Sequence, residues 1–396
     1  MRSAVPEHPI GLLYSTTGTY AAIGRDALDG ALMALDEVNA DPAFPFRLQA
    51  LVENPGGVID RYHGACESLI RDRGCRHVVG TITSLSRKEV LPIIEKHDAL
   101  LWYMCPYEGF ECSDNVVYTG ACPNQHIVPL FHHVLPRYGT RGYLAGSNYI
   151  WGWETNRIAR ELIAACRGEV VAERYLPLGS EDVGRLVAEI ADKRPDFVLN
   201  NLIGPSSYAF FHAMRKLAEH DPAFSPDRCP IVSCNLTECE LALIGDGAVG
   251  HLSSAIWFEG VPGEASRDFV ARARARLGAG RPLSAFLVGG YQAVRILAEA
   301  LREAGTPDLG AVRPVVTGRA FDMPAGRVRI DPRTNHAELT PHLGRIAAGG
   351  RFEIIASAAG PVAPDPYLVH FDPESLAALV RRSGRRPDGP ILKVVT

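Results

Sequence analysis

The chain has 396 residues, 46% of them hydrophobic and 22% charged, with 41 Lys plus Arg against 45 Asp plus Glu. That length is about twice or more the usual single domain, so two domains are expected, and the ordinary composition excludes a disordered or collagen-like chain. The slightly acidic balance gives no electrostatic footprint for direct nucleic-acid binding.

Strands and helices alternate along the sequence, which predicts an α/β fold with doubly wound parallel sheets covered on both faces. The first half carries strand patterns at 10–14, 47–53, 77–80, 100–103 and 116–118, with helices at 24–39, 58–71 and 84–96. In the helix over 24–39, Ala27, Leu28, Ala31, Leu32, Ala34, Leu35 and Val38 fall at helical spacing and form a core face. From Pro123 the pattern restarts with a helix at 126–135, a strand at 142–145, a helix at 154–165, a strand at 169–175 and a helix at 182–192. It continues with a strand at 197–202, a helix at 206–218, a strand at 231–233, a short helix near 236–243 and a strand at 251–257. Two long helices at 265–277 and 284–304 follow, and then short strands at 328–330, 336–346 and 352–357. Three prolines within 361–366 predict a tail.

The stretch over 80–125 is the most informative. Thr81, Thr83, Ser84 and Ser86 sit just ahead of a helix whose apolar positions are Val90, Leu91, Ile93 and Ile94, and Ser84 is read as the N-cap. A helix start leaves several backbone N–H groups without partners and carries a positive partial charge, so a ligand carbonyl or carboxylate gains donors there. The next strand ends in Met104-Cys105-Pro106-Tyr107, which places its carboxyl end beside the same mouth. Open α/β sheets bind ligands at that edge.

Other motifs point away from catalysis. Gly245-Asp246-Gly247-Ala248-Val249-Gly250 satisfies G-x-G-x-x-G, but it follows a helix and precedes a strand, the reverse of the dinucleotide-binding order. P-loop, H-E-x-x-H and G-x-S-x-G patterns are absent from the sequence. Adjacent residues on a helix point apart, so His132 and His133 are read as surface or packing residues. Cys105 has no local base beside it and is read as a pocket wall, which leaves a cysteine-dependent amidase as a minor alternative. No catalytic residue, metal or cofactor is assigned, and the chain is expected not to be an enzyme.

Nine cysteines, an odd number with no C-x-x-C, argue against a disulfide framework or a zinc site of standard spacing. They suit a reducing compartment. The first strand pattern lies too close to Met1 for a signal peptide of about 15–30 residues, so a cytoplasmic location is expected, with the periplasm as the alternative if a leader has been removed. No apolar run reaches the ~20 residues that span a bilayer, so no membrane insertion is expected. The basic run Arg381-Arg382-Ser383-Gly384-Arg385-Arg386, followed by Pro387 and Gly389, is read as a solvated tail.

The segments Gly11-Leu-Leu-Tyr-Ser-Thr-Thr-Gly18, Glu53-Asn-Pro-Gly-Gly57, Asp60-Arg-Tyr62 and Ile70-Arg71 occur in an order that resembles the branched-chain amino acid, amide and urea branch of the periplasmic binding protein superfamily. Ser86-Arg-Lys88, Asp98-Ala-Leu-Leu101, Pro106-Tyr-Glu-Gly-Phe110, Pro123-Asn-Gln125, Gly146-Ser-Asn-Tyr-Ile150 and Pro364-Asp-Pro-Tyr367 are similar, more narrowly, to the amide-sensing negative regulators of aliphatic amidase operons. The resemblance covers about residues 8–370. It implies a type I-like periplasmic binding protein fold, with two doubly wound domains joined by crossovers near Ala121, Ser253 and Ile330 and closing on a small ligand. Residues 8–121 plus 254–330 would form ligand-binding domain I, 122–253 plus 331–370 domain II, and 371–396 a C-terminal tail.

The resemblance further implies a cytoplasmic sensor of a short aliphatic amide or urea-like ligand. It would control amidase or nitrile-degradation genes by ligand-dependent binding of an RNA-binding antitermination protein, and a homodimer is left open. The alternative is the solute-binding receptor of an ABC transporter for urea, short-chain amides or branched-chain amino acids. Carried over by position, Ser84 and the amides after it would take the ligand carbonyl oxygen. Ile82, Tyr103, Cys105 and Pro106 would form the first-domain wall, Tyr149 and Trp151 an aromatic lid, and Pro205, Ser206 and Asn235 the far strand ends. For Tyr149 and Trp151 the competing reading is packing without ligand contact. The family has a threonine where Cys105 stands and tyrosines where Ile82 and Trp151 stand, and these changes favour a more apolar ligand tail or a pocket of different size. Asn235 and Thr237 offer no acidic partner for an ammonium group, although Glu238 and Glu240 lie nearby, so a neutral amide or urea is preferred to a zwitterion.

Overall fold

The computed structural model describes residues 5–383. In chain order it contains β1 (Glu7–Leu13), α1 (Ala21–Ala40), β2 (Arg47–Glu53), α2 (Asp60–Glu67), β3 (His77–Gly80), α3 (Ser84–Lys96), β4 (Leu100–Tyr103) and β5 (Val116–Tyr118). Next come α4 (Ile127–Tyr138), β6 (Arg141–Ser147), α5 (Ile150–Ala165), β7 (Glu169–Leu176), α6 (Gly184–Lys193), β8 (Phe197–Asn201), α7 (Pro205–His220), β9 (Ile231–Ser233), α8 (Glu238–Ile244) and β10 (Leu252–Ala255). The last third holds α9 (Glu264–Leu277), α10 (Ala285–Ala304), α11 (Leu309–Gly318), β11 (Ala320–Met323), β12 (Gly326–Ile330), β13 (Ala337–Glu338), β14 (His342–Ala347), β15 (Arg351–Ser357) and α12 (Pro373–Ser383).

The chain divides into two compact units, one made of residues 5–121 with Pro262–Leu339, the other of Cys122–Val261 with residues 340–383. The second and third crossings fall later than the 253 and 330 expected from sequence. Two local contacts account for this. Phe258 packs on Phe352 with ring centroids 4.4 Å apart, which keeps the chain after β10 in the second unit. At the other crossing, β13 pairs with β12, which keeps the chain beyond Ile330 in the first.

In the first unit a parallel sheet runs in the order β2-β1-β3-β4-β5, and β11-β12-β13 form a separate antiparallel sheet. Strands β3, β4 and β5 are buried at every residue, as a sheet covered on both faces requires, whereas in the edge strand β2 only Leu48 is fully buried. Helices α1 and α10 pack with their backbones in close approach. A Cβ on Gly30 would strike the carbonyl oxygen of Leu287, and one on Gly290 that of Ala27. The Ser284 hydroxyl caps α10 by accepting from the Leu287 N–H, and Gly305, at φ 68°, ends that helix in the left-handed region.

In the second unit the sheet order is β15-β14-β10-β9-β8-β6-β7, parallel from β7 to β10, with β14 and β15 added antiparallel. Its parallel part, β7-β6-β8-β9-β10, repeats the connectivity of the first sheet. In this doubly wound order the strand sequence reverses beside the first strand, at the carboxyl ends of β1/β3 and of β6/β8, the edge at which open α/β sheets bind ligands.

Two expected irregular regions are ordered. The proline-rich segment 361–366 is strapped to Pro123-Asn124-Gln125: Asn124 Nδ2 donates to the Ala363 carbonyl (2.8 Å), Gln125 Nε2 to that of Val362 (2.9 Å), and the Asp365 N–H to Asn124 Oδ1 (2.9 Å). Where a tail was expected from 371, α12 buries Leu376 and Ala377 and packs on α4 and α5. The remainder of the basic run, Gly384-Arg385-Arg386 with Pro387 and Gly389, lies outside the described residues.

Candidate functional site

At the carboxyl edge of the first sheet, β3 leads through Thr81 and Ile82 into α3. The N-cap is Thr83, not Ser84: the Thr83 hydroxyl accepts from the Ser86 N–H (3.1 Å) and the Ser86 hydroxyl from the Thr83 N–H (3.1 Å), a reciprocal capping box. Thr83 is the last extended residue, at φ −107°, ψ 155°, so the box spacing falls one position earlier than expected. Ser84 is therefore the first helical residue. Its hydroxyl donates to the carboxylate of Glu108, and both residues are buried.

Glu108 belongs to a charged network inside this unit. Arg87, wholly buried, donates to Glu108 (3.1 Å) and doubly to Glu111 (2.7 and 3.2 Å), while Lys88 (2.8 Å) and the Tyr118 hydroxyl (2.9 Å) also donate to Glu111. Its guanidinium lies over the rings of Tyr103 (4.7 Å) and Tyr107 (4.6 Å), a cation–π arrangement. Burial pushes the Glu111 carboxyl up, but Arg87 and Lys88 outweigh it and hold the group down at about 2. Tyr107 stacks on Tyr118, which stacks on His336 at 4.1 Å. Burial lowers His336 to about 4, so it is neutral: its Nδ1–H donates to the Thr334 carbonyl (2.6 Å) and its Nε2 accepts from the Tyr107 hydroxyl. The sequence Pro106-Tyr107-Glu108-Gly109-Phe110 is thus the loop that encloses Arg87. It turns out through Gly109 (φ 79°) and the exposed Phe110 (φ 60°).

Of the residues expected on this edge, Tyr103 donates to the Ile82 carbonyl (3.3 Å), and Cys105 turns its thiol towards the Thr81 carbonyl (3.7 Å) and Met104 Sδ (3.5 Å). Ile82, Ser84, Tyr103 and Cys105 thus gather around one turn, with Pro106 half-buried beside them. Burial pushes the Cys105 thiol far above its ordinary value, which disfavours the thiolate a nucleophile needs. Arg87 and Glu108 were not singled out from sequence, though both lie within the motifs that carried the resemblance. Tyr14, just past β1, was also missed: its hydroxyl is buried with no hydrogen-bond partner among the described residues.

At the carboxyl edge of the second sheet, the Ser147 hydroxyl accepts from the Ile203 N–H (3.1 Å) and ties the end of β6 to the turn after β8. Tyr149 is the extended N-cap of α5, and Trp151 lies in its first turn, because the helix begins earlier than the 154 expected. Both are buried, and the Trp151 indole N–H has no hydrogen-bond partner among the described residues. Pro205 opens α7 at its first position, where its missing N–H costs no helical bond, and the hydroxyl of the buried Ser206 lacks a partner among the described residues. Asn235, after β9, accepts at Oδ1 from the Ser233 hydroxyl (2.9 Å). Beyond it, Glu238 accepts from the Glu259 N–H (3.0 Å) and Glu240 from the Tyr208 hydroxyl (2.9 Å). The paired amides of Asn201 and Asn156 (2.8 Å) at the end of β8 were not anticipated.

Among the described residues no group of three or more His, Cys, Asp or Glu is placed to hold a metal ion, and no helix is long and apolar enough to cross a membrane. His133 is buried and lowered to about 4 by that burial, a packing residue.

A family profile described as periplasmic binding protein domain matches residues 8–373. A Leu/Ile/Val-binding protein homolog 6 of Brucella abortus is 22% identical over 285 residues, covering 71% of this chain and 72% of the relative. Among solved structures, a solute binding protein of an ABC transporter from Rhodopseudomonas palustris BisB5, in complex with 3,4-dihydroxybenzoic acid, superposes with a TM-score of 0.80 at 17% identity. It covers 90% of this chain and 99% of that one. A leucine binding protein from Thermotoga maritima gives 0.75 at 15% identity, covering 88% and 98%. The family corrects the expected cytoplasmic location: the profile that matches residues 8–373 is described as a periplasmic binding protein domain, which points to the periplasm. The chain belongs to the periplasmic binding protein family, and the match runs through both units.

Proposed function

We propose that this chain is the solute-binding receptor of an ABC-type transporter and that its ligand is a small neutral amide or urea-like molecule. The observation that carries the ligand class is the chemistry of the two strand edges. The candidate residues Ile82, Ser84, Tyr103, Cys105 and Pro106 on the first sheet are uncharged, as are Tyr149, Trp151, Pro205, Ser206 and Asn235 on the second. The carboxylates beside them are engaged within their own units: Glu108 with Arg87 and the Ser84 hydroxyl, Glu238 with the Glu259 N–H and Glu240 with the Tyr208 hydroxyl. None of the candidate residues themselves offers a charged partner to the ammonium group of a zwitterion, and burying that group without one is costly. A cysteine-dependent amidase is disfavoured by the deep burial of Cys105, which pushes its thiol well above its ordinary value.

A ceiling of about −1.5 kcal/mol per heavy atom gives a five-atom ligand such as propionamide at most about −7.5 kcal/mol, a Kd no tighter than about 3 μM. Calorimetric titration with acetamide, propionamide, urea, leucine and benzoate tests the proposal. Binding of an amide or urea in the micromolar to millimolar range, without leucine or benzoate, is expected, and binding of leucine or benzoate alone would overturn it.

A second reading is favoured by Pro106-Tyr107-Glu108-Gly109-Phe110, which resembles the amidase-operon regulators and here encloses Arg87. It keeps the amide ligand and replaces the permease by an RNA-binding antitermination protein. That partner rests on the resemblance alone. Reconstitution with the cognate permease separates the two readings, since only the receptor stimulates its ATPase when propionamide is bound.

A further inference from the structure

We infer that Glu108, held by Arg87, fixes the polarity of the Ser84 hydroxyl, so that Ser84 accepts a hydrogen bond from the ligand and the ligand turns an N–H group, not its carbonyl, towards it. This deepens the proposed amide or urea site and rests on that reading. It also reverses the orientation expected from sequence, in which Ser84 donates to a carbonyl oxygen.

A serine hydroxyl has one proton and two lone pairs, whereas a carboxylate only accepts. Glu108 is paired with the buried guanidinium of Arg87, so the Ser84–Glu108 hydrogen bond runs in one direction and takes the single proton of Ser84. What remains on Ser84 Oγ is acceptor capacity. The neighbouring hydroxyls do not replace the lost donor: Thr83 and Ser86 bond each other (2.9 Å) and close the capping box. The positive start of α3 would ordinarily invite an anion, but Glu108, bonded at the first helical residue, already supplies one. A ligand carboxylate at this point would meet lone pairs backed by a like charge, while an amide or urea NH₂ meets an acceptor strengthened by it. Glu108 is thus a positioning residue, which acts through Ser84 and discriminates amide from acid.

The substitution Glu108→Gln tests the direction of the bond. Arg87 only donates, so it holds the glutamine carbonyl oxygen and turns the glutamine NH₂ towards Ser84. That NH₂ donates to Ser84 Oγ and frees the serine proton for the ligand. The probes are propionamide and propionate, which share one shape and differ in charge and donor capacity. Titrations of the full chain should show wild type preferring propionamide and E108Q losing that preference by about tenfold or more, the scale of one hydrogen bond to a charged group. In a Ser84→Ala background the same substitution should shift the ratio much less, because only the through-space effect of the lost charge remains once the hydroxyl is gone. An unaltered ratio in folded E108Q, or an equal shift without Ser84, would overturn the inference and leave the receptor proposal standing. Wild type that binds no amide or urea would remove both. Should E108Q fail to fold by circular dichroism, a crystal of wild type with thiopropionamide decides: its sulfur, located by anomalous scattering, is expected away from Ser84 Oγ. Sulfur against that oxygen would refute the inference.

Discussion

Replacing Arg87 by methionine is the sharpest test of how the first strand edge is held. The substitution keeps much of the side-chain volume and removes the charge. Glu108 would then keep only the Ser84 hydroxyl, while Glu111 would retain Lys88 and the Tyr118 hydroxyl. Breaking a buried ion pair from one side costs about 3–5 kcal/mol, because a buried charge is left without its partner. Each cation–π contact, to Tyr103 and to Tyr107, adds about 0.5–1 kcal/mol. Together these give about 4–7 kcal/mol, and since Glu111 keeps two donors the expected loss lies at the lower end, about 4–5 kcal/mol. Trp102, in β4, lies in the same unit, while Trp151, Trp153 and Trp257 lie in the other, so a variant retaining only Trp102 reports this unit's urea unfolding by fluorescence. Adding Glu108→Gln and Glu111→Gln to R87M should recover part of the loss. A change below about 1 kcal/mol, the range of exposed pairs, would refute the claim that the buried network holds the edge.

Two further expectations follow from the packing. Burial lowers His77, His133, His336 and His342 to about 4 and His251 to about 3. An unfolded histidine titrates near ~6.5, so between about pH 6.5 and 4 the unfolded chain binds more protons and stability rises with pH. Their contribution is therefore complete above about pH 6.5 and lost as pH falls through about 4, with a slope of up to about 1.4 kcal/mol per pH unit for each histidine. Chemical denaturation across that window should show the decline, and a flat profile would contradict neutral burial. At the α1–α10 contact, Gly290→Ala places a methyl against the Ala27 carbonyl oxygen. A loss of about 1–3 kcal/mol in urea unfolding is expected, and no loss would mean the helices can separate without cost.

Most of the α/β order was legible because each element obeys its own period. The helix expected at 284–304 is observed as α10, whose cap is Ser284 and whose end is set by Gly305. Helix α11 was missed because Gly310, Pro314 and Gly318 break its pattern, and α12 because the prolines upstream suggested that order had ended. Those prolines are held instead by side-chain amides of Asn124 and Gln125, far away in sequence. At the site, the strand ends were legible from parallel-sheet topology, but the partner of Ser84 was not. Glu108 is distant along the chain, and only the folded loop brings its carboxylate to the helix start. The cap was missed for a local reason: Thr83 and Ser84 both suit an N-cap, and the reciprocal bond to Ser86, three residues on from Thr83, chose Thr83.

The central claim is that the carboxyl-edge residues of each sheet hold a small neutral ligand, and amide hydrogen exchange with and without saturating propionamide tests it most directly. Slower exchange is predicted in the turn at 82–86 and the loop at 103–110 of the first unit, and at 149–152, 206–208 and 235–237 of the second. Protection confined to other surfaces, or none at propionamide concentrations well above the millimolar end of the expected affinity range, would contradict it.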